Sequence, residues 1–180
     1  MALEAARQIV RKDGIQALSG RKVTARIGYT IGTLYQLFDD MDHLVERMNA
    51  ETLAHLFEHC RAEIDADTVS GQLKTLAFRF IEFVKTHPNE WDAVMSYRYK
   101  DGHVSSDFYV DEIQRLFGLM ANATAQFYPE GAAEDQAADM ALLWSSLTGI
   151  WGIAASERTV GGSMEQMIDR LVEMYVSARS

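Results

Sequence analysis

Cysteine and proline are almost missing from this chain. A single thiol, Cys60, excludes an intramolecular disulfide framework and fits a reducing compartment, so a cytoplasmic protein is expected. Two prolines in 180 residues, with few alternating β-branched runs, argue against sheet, while plentiful Ala, Leu, Met and Glu favour an all-α fold. No charge-free apolar stretch reaches the roughly 18 residues a membrane span needs, and no signal-peptide pattern is present. No membrane partner is expected.

Catalytic patterns are missing too. There is no E-x-x-H pair for a di-iron bundle, no G-x-S-x-G elbow, no phosphate-cradling G-x-x-x-x-G-K-[ST], and no base set by motif beside Cys60. Neither an enzyme nor a cofactor is expected. His55 and His59 have the spacing to share a metal, with Glu51 and Glu58 near them. Cys60 points about 100° away from His59 and spacing supplies no third ligand, so no metal site is expected.

What is present is an uneven charge. The formal net charge is −9, yet residues 1–38 carry six basic side chains (Arg7, Arg11, Lys12, Arg21, Lys22, Arg26) against Glu4 and Asp13. That stretch is net +4, which leaves −13 for the rest. A small basic head on a larger acidic body suits a part that reads DNA joined to a part with another task.

Within the head, the run Ser19–Phe38 has the pattern of a helix-turn-helix. Leu3, Ala6, Ile9 and Val10 form one stripe of a supporting helix over residues 2–13, which Gly14 can end. Ser19 can cap a second helix with Val23 and Ile27 inward, Gly28 can take the positive φ of a tight corner, and Thr30 can cap a third helix carrying Leu34 and Phe38. The outer face of that third helix would show Thr30, Ile31, Thr33, Tyr35 and Gln36, with Gly32 allowing close backbone approach to a major groove. Arg21 and Lys22 are candidate phosphate contacts.

At these residues the chain resembles the TetR family of bacterial transcriptional regulators. The likeness runs from Ala5-Ala6-Arg7, through Gly14, to Gly32-Thr33-Leu34-Tyr35, Phe38 and Leu44. It implies a homodimer that binds palindromic double-stranded DNA and is released from it by a small molecule, hence a repressor. Met41 stands where the family often has a phosphate-contacting lysine, and Ile31 where it often has a basic residue, which implies weakened DNA affinity. The alternative is a ligand-binding or interaction protein of the same fold with weak or lost DNA binding.

The remaining pattern predicts about nine helices. A connector helix is expected over about 41–64, at the junction between a DNA-binding domain, 1–45, and a ligand-binding and dimerisation domain, 46–180. Further helices are expected over 69–86, after Pro88, from Asp107 to the Pro129 region, from Ala133 to about Glu157, and after Ser163, where S-x-x-Q spells a capping box. The phrase Phe83–Pro88, with Met95, Trp144 and Thr148-Gly149, resembles a TetR subgroup named for a Trp-His-Gly motif, with Thr148 at the histidine position. Large rings and methionines predict an effector cavity walled by Phe80, Trp91, Met95, Phe117, Met120 and Trp144, with Tyr97 or Tyr109 giving a hydrogen bond to an apolar or aromatic ligand. Ser145, Gly149, Gly152, Met167, Leu171 and Met174 are the candidate dimer face.

Overall fold

The computed structural model describes residues 1–156 and 162–179. Among the described residues the chain forms nine α-helices and no strand: α1 Ala2–Asp13, α2 Gly20–Ile27, α3 Ile31–Leu37, α4 Met41–Cys60, α5 Val69–Thr86, α6 Pro88–Ser96, α7 Asp107–Thr124, α8 Ala133–Ala155 and α9 Met164–Arg179. The expected end of the eighth helix at Glu157 lies outside the described residues. No helix among them is long and apolar enough to cross a membrane.

Local chemistry sets most of the ends. Gly14 leaves α1 with φ 78°, and its N–H returns to the Val10 carbonyl. Pro88 sits at the start of α6, where its missing N–H costs no helical bond. The box at α9 closes in both directions, with Ser163 N donating to Gln166 Oε1 at 2.9 Å and Gln166 N donating to Ser163 Oγ at 3.2 Å. One end departs from the sequence pattern: α4 stops at Cys60 rather than near Ile64. There the Arg79 guanidinium takes the carbonyls of Cys60, Ala62 and Glu63 at 2.7–2.9 Å, so these acceptors are satisfied without another helical turn.

The chain divides into two compact units, residues Met1–Phe57 with Phe83–Ile113, and Glu58–Glu82 with Gln114–Ser180. The first is built on Ile9, Val10, Val23, Leu34, Leu44, Val45 and Met48, which share one core with Ala93 of α6. Burying each of the larger aliphatic side chains contributes about 1.5–3 kcal/mol. Polar groups are buried in this unit as well. Asp42, Glu46 and Asn49 occupy one face of α4 at i, i+4, i+7 spacing, and all three are inaccessible to solvent or nearly so. Asp42 accepts from the Tyr97 hydroxyl at 2.7 Å and Lys100 N at 3.0 Å. Glu46 accepts from Ser106 N and Oγ at 3.0 and 2.8 Å and lies 3.2 Å from His103 Nε2. Asn49 donates to the Ala93 carbonyl and the Tyr99 hydroxyl, both at 3.2 Å. Burial pushes the Tyr99 hydroxyl up to about 12.

A second polar group ties α1 to α4 and α6. Buried Arg7 reaches Glu51 at 2.8 Å, His55 Nδ1 at 3.0 Å and Glu90 at 3.6 Å, and Arg11 reaches Glu90 at 2.8 Å. Burial, followed by the Arg7 charge, holds the His55 imidazole below its ordinary 6.5.

In the second unit Val69, Leu73 and Val172 pack with Phe127, Tyr175 and Val176. Lys74 of α5 meets Asp169 of α9 at 2.8 Å. Trp144 is set edge-on to Phe80, at 5.3 Å between centroids, and to Phe117, at 5.9 Å.

Two outcomes follow from the Arg7 group. Glu90→Ala removes the buried carboxylate that Arg7 and Arg11 share and leaves Arg7 to Glu51, so it is expected to cost about 1.5–2 kcal/mol, read as a lower urea midpoint. Because the His55 shift is downward, its contribution to stability is complete above pH 6.5 and declines as pH falls, when the unfolded chain takes the proton more readily. His55→Gln is therefore expected to flatten the acid limb of a stability-against-pH curve measured from pH 7.5 to 5.

Candidate nucleic-acid interface and body sites

The helix-turn-helix is assembled by the local signals its sequence carries. Ser19 Oγ accepts from Lys22 N at 3.4 Å, opening α2. Gly28 adopts φ 73° and ψ 23°, the left-handed conformation that closes the corner, and both Gly28 N and Tyr29 N return to the Thr24 carbonyl. Thr30 Oγ1 then accepts from Thr33 N at 3.2 Å to open α3. A single side chain of α3, Leu34, is fully buried, and it anchors the helix in the core of the first unit.

The rest of α3 faces outward. Thr30, Ile31, Gly32, Tyr35 and Gln36 are exposed, and Thr33 is half-buried with its hydroxyl 3.1 Å from Thr30 Oγ1. Ile31 and Tyr35 keep 42% and 43% of their surface in water, unusual values for side chains of their size. Arg21 and Lys22 on α2 are exposed, and among the described residues no salt bridge occupies either. Arg26 is also exposed and donates to Gln8 Oε1 at 3.3 Å. A cylinder of this width, with unpaired cations beside it, fits a major groove about 12 Å across.

Gly20 is a close-packed position on the flank of α3 that the sequence pattern does not reveal. A Cβ there would lie 2.8 Å from Ile31 Cδ1 and 3.4 Å from both Leu34 Cδ2 and the Tyr35 hydroxyl. Its lack of a side chain lets the first turn of α2 support the flank of α3. The only signal in the sequence is a glycine immediately after a cap.

The ring residues of the body fall into two groups. Phe80, Phe117, Met120 and Trp144 belong to the second unit, where the three rings touch. Trp91, Met95, Tyr97 and Tyr109 belong to the first. There Trp91 is buried, Met95 is 55% exposed, the Tyr97 hydroxyl is given to Asp42, and Tyr109 is half-buried with its phenol pushed upward by burial and then by Glu46. An open groove of about 420 Å³ runs between α7 and α8, lined by Phe117, Gly118, Ala121, Ala137 and Met140.

On α8 and α9, Ser145, Gly149, Gly152 and Met174 are exposed, while Met167 and Leu171 are half-buried. Two residues extend this face beyond those the sequence singled out. Leu142 is 66% exposed and Ile153 is also exposed, and together with Ser145, Gly149 and Gly152 they recur at helical spacing along one uncharged stripe. The signal was their spacing, which continues that of the small residues.

Two of the three histidines of α4, His55 and His59, have separate partners. The run His55–His59 spells H-x-x-E-H, a spacing known from zinc peptidases. Here His55 meets Arg7, His59 Nε2 lies 3.3 Å from Glu82, and among the described residues no three His, Cys, Asp or Glu side chains converge to hold a metal.

Comparisons with known proteins agree with this architecture. Residues 2–48 match the family model described as bacterial regulatory proteins, tetR family, and residues 73–177 match the one described as tetracyclin repressor-like, C-terminal domain. The latter description names no Trp-His-Gly subgroup. No curated protein matches the chain in sequence. Among solved structures, the chain is similar to a TetR transcriptional regulator from Rhodococcus sp. RHA1, with 17% identity, 99% of this chain and 95% of that one covered, and a TM-score of 0.74. It is also similar to a protein of unknown function from the same organism, with 14% identity, 99% and 93% coverage, and a TM-score of 0.76. At these identities the structural likeness speaks to the fold, and it is the two sequence matches, together spanning most of the chain, that carry the assignment. With its capped helix-turn-helix and helical body, the chain belongs to the TetR family of DNA-binding transcriptional regulators.

Proposed function

We propose that the protein is a homodimeric cytoplasmic repressor that binds a palindromic operator and leaves it when a small apolar or aromatic molecule occupies the body. The observation that carries this reading is the outer face of α3, held by Leu34 alone and flanked by the unpaired cations Arg21 and Lys22. Thr30, Ile31, Gly32, Thr33, Tyr35 and Gln36 would face bases, and the two cations would fix the register on phosphates. In functional terms the division falls near residue 45, with 1–45 reading DNA and 46–180 serving effector and partner, α4 being the connector. The compact units follow packing instead.

The dimer face proposed is the uncharged stripe of α8, with Ser145, Gly149 and Gly152 allowing close approach, together with Met167, Leu171 and Met174 of α9. An isologous contact there removes from water side chains such as Leu142 and Met174, which are 66% and 62% exposed in one chain. For the effector, the rings Phe80, Phe117 and Trp144 offer the apolar contact, with Met120 beside them and Trp91, Met95, Tyr97 and Tyr109 as the further candidates. The acidic body favours a neutral or cationic apolar ligand over a polyanion.

Selection from random duplexes at low salt is expected to yield a palindrome, and a selection that enriches none would defeat the reading. Lys22→Ala and Arg21→Ala should each weaken binding to all sequences alike and reduce the slope of log K against log salt by about 1. Leu142→Glu and Met174→Glu alter exposed positions, so they should leave helix content unchanged while producing monomers by sedimentation and abolishing operator binding. An effector seated among Phe80, Phe117 and Trp144 should quench tryptophan fluorescence. Trp144→Phe should remove that response and leave the Trp91 and Trp151 emission in place.

A further inference from the structure

The geometry points to a base preference for α3: we infer that Ile31 and Tyr35 read thymine 5-methyl groups and that Gln36 reads an adenine, so the operator is A·T-rich where this helix enters. The inference rests on the reading of α3 as the DNA-contacting helix and deepens it.

The argument begins with what the helix does not offer. From Tyr29 to Leu37 there is no Arg, Lys, Asp or Glu. A guanine edge presents two acceptors, O6 and N7, and is read by the paired donors of arginine or lysine, whereas a cytosine edge presents a donor that a carboxylate would accept. This face can match neither with a charge. Its uncharged, two-handed group is the Gln36 amide, which can donate to adenine N7 and accept from N6. With about 100° between successive residues, Gly32 and Gln36 stand opposite buried Leu34, at the centre of the outer face. Gly32 presents no side chain one turn before Gln36, and a Cβ there would meet nothing nearer than Thr30 Oγ1 at 3.7 Å. The helix backbone can thus come close enough for the amide to reach a base edge.

Ile31 and Tyr35 are one turn apart on the flank nearest α2. Gly20 supports them from behind, at 2.8 Å from Ile31 Cδ1 and 3.4 Å from the Tyr35 hydroxyl, measured to the position of a Cβ on that glycine. Behind them is backbone, and in front is water. The unmodified base group in the major groove that rewards an aliphatic carbon is the 5-methyl of thymine. Opposite cytosine, Ile31 and the Tyr35 ring would strip water from the N4 donor and return no acceptor, since the Tyr35 hydroxyl lies back against Gly20. The preference is therefore built from an attraction to thymine and a penalty against cytosine.

The test uses the full chain and a palindrome it selects, with each thymine in turn replaced by deoxyuridine. That exchange removes only the 5-methyl and leaves pairing and phosphates intact. At least one position per half-site should lose about fourfold in affinity, the value of burying one methyl group. Ile31→Ala or Tyr35→Ala should lower affinity for the thymine duplex, and the deoxyuridine penalty at the matching position should vanish in that variant. Gln36→Ala should relax a preference for adenine at one position per half-site. The inference is overturned if every thymine can be replaced without loss, if the penalties multiply in every variant, or if the selected half-sites carry G·C where α3 enters. Since these readouts all presuppose a selected palindrome, failure to select any would instead overturn the DNA-binding reading itself.

Discussion

Three polar side chains on one face of α4 set the terms for the first compact unit. Asp42, Glu46 and Asn49 are buried, and a buried carboxylate without partners is among the costliest groups a fold can contain. Each takes a partner from the segment that follows α6: Tyr97 and Lys100 for Asp42, Tyr99 for the Asn49 amide nitrogen, His103 and Ser106 for Glu46, while Asn49 Oδ1 is buried without a protein partner. That segment therefore has little freedom to leave α4. The opposite side of the helix contributes Leu44, Val45 and Met48 to the core in which Leu34 is anchored, so α3 and the polar face depend on the same rod.

Helix α3 itself is stabilised sparingly. Seven residues make little helix on their own, and α3 exists because Thr30 caps it, Gly28 turns into it and Leu34 is buried. Apart from half-buried Thr33, everything else on it is exposed. If α3 reads bases as proposed, burying Ile31 and Tyr35 would add stability and leave less to offer a base edge, the common conflict between stability and function. Gly20 eases it by supporting these two side chains with backbone, so that they are positioned without being covered.

In the second unit the same contrast separates α8 from its neighbours. Its inward residues Met140, Leu143 and Leu147 are buried, as a core helix requires. Among the described residues, its outer stripe of Leu142, Ser145, Gly149, Gly152 and Ile153 is left exposed to water. A long uncharged face open to water is a cost in a monomer and an asset in an assembly. The ring cluster of Phe80, Phe117 and Trp144 is held by edge-to-face contacts, which fix ring orientation more firmly than aliphatic packing does.

Much of this was legible in the sequence because the forces involved act within one helical turn. The caps at Ser19, Thr30 and Ser163, the corner at Gly28, the end of α1 at Gly14 and the span of α5 all rest on groups at most four residues apart. The outward face of α3 followed from its period. Other features needed the folded chain. No periodicity states that Tyr97 will give its hydroxyl to Asp42, 55 residues earlier, or that Ser106 will meet Glu46, 60 residues earlier. The early stop of α4 depends on a guanidinium 19 residues beyond Cys60, and the support of Ile31 depends on how two helices cross at a glycine. Short-range hydrogen bonds and helical period are properties of the chain itself, whereas the pairing of buried polar groups is decided only when packing removes the water that would otherwise satisfy them.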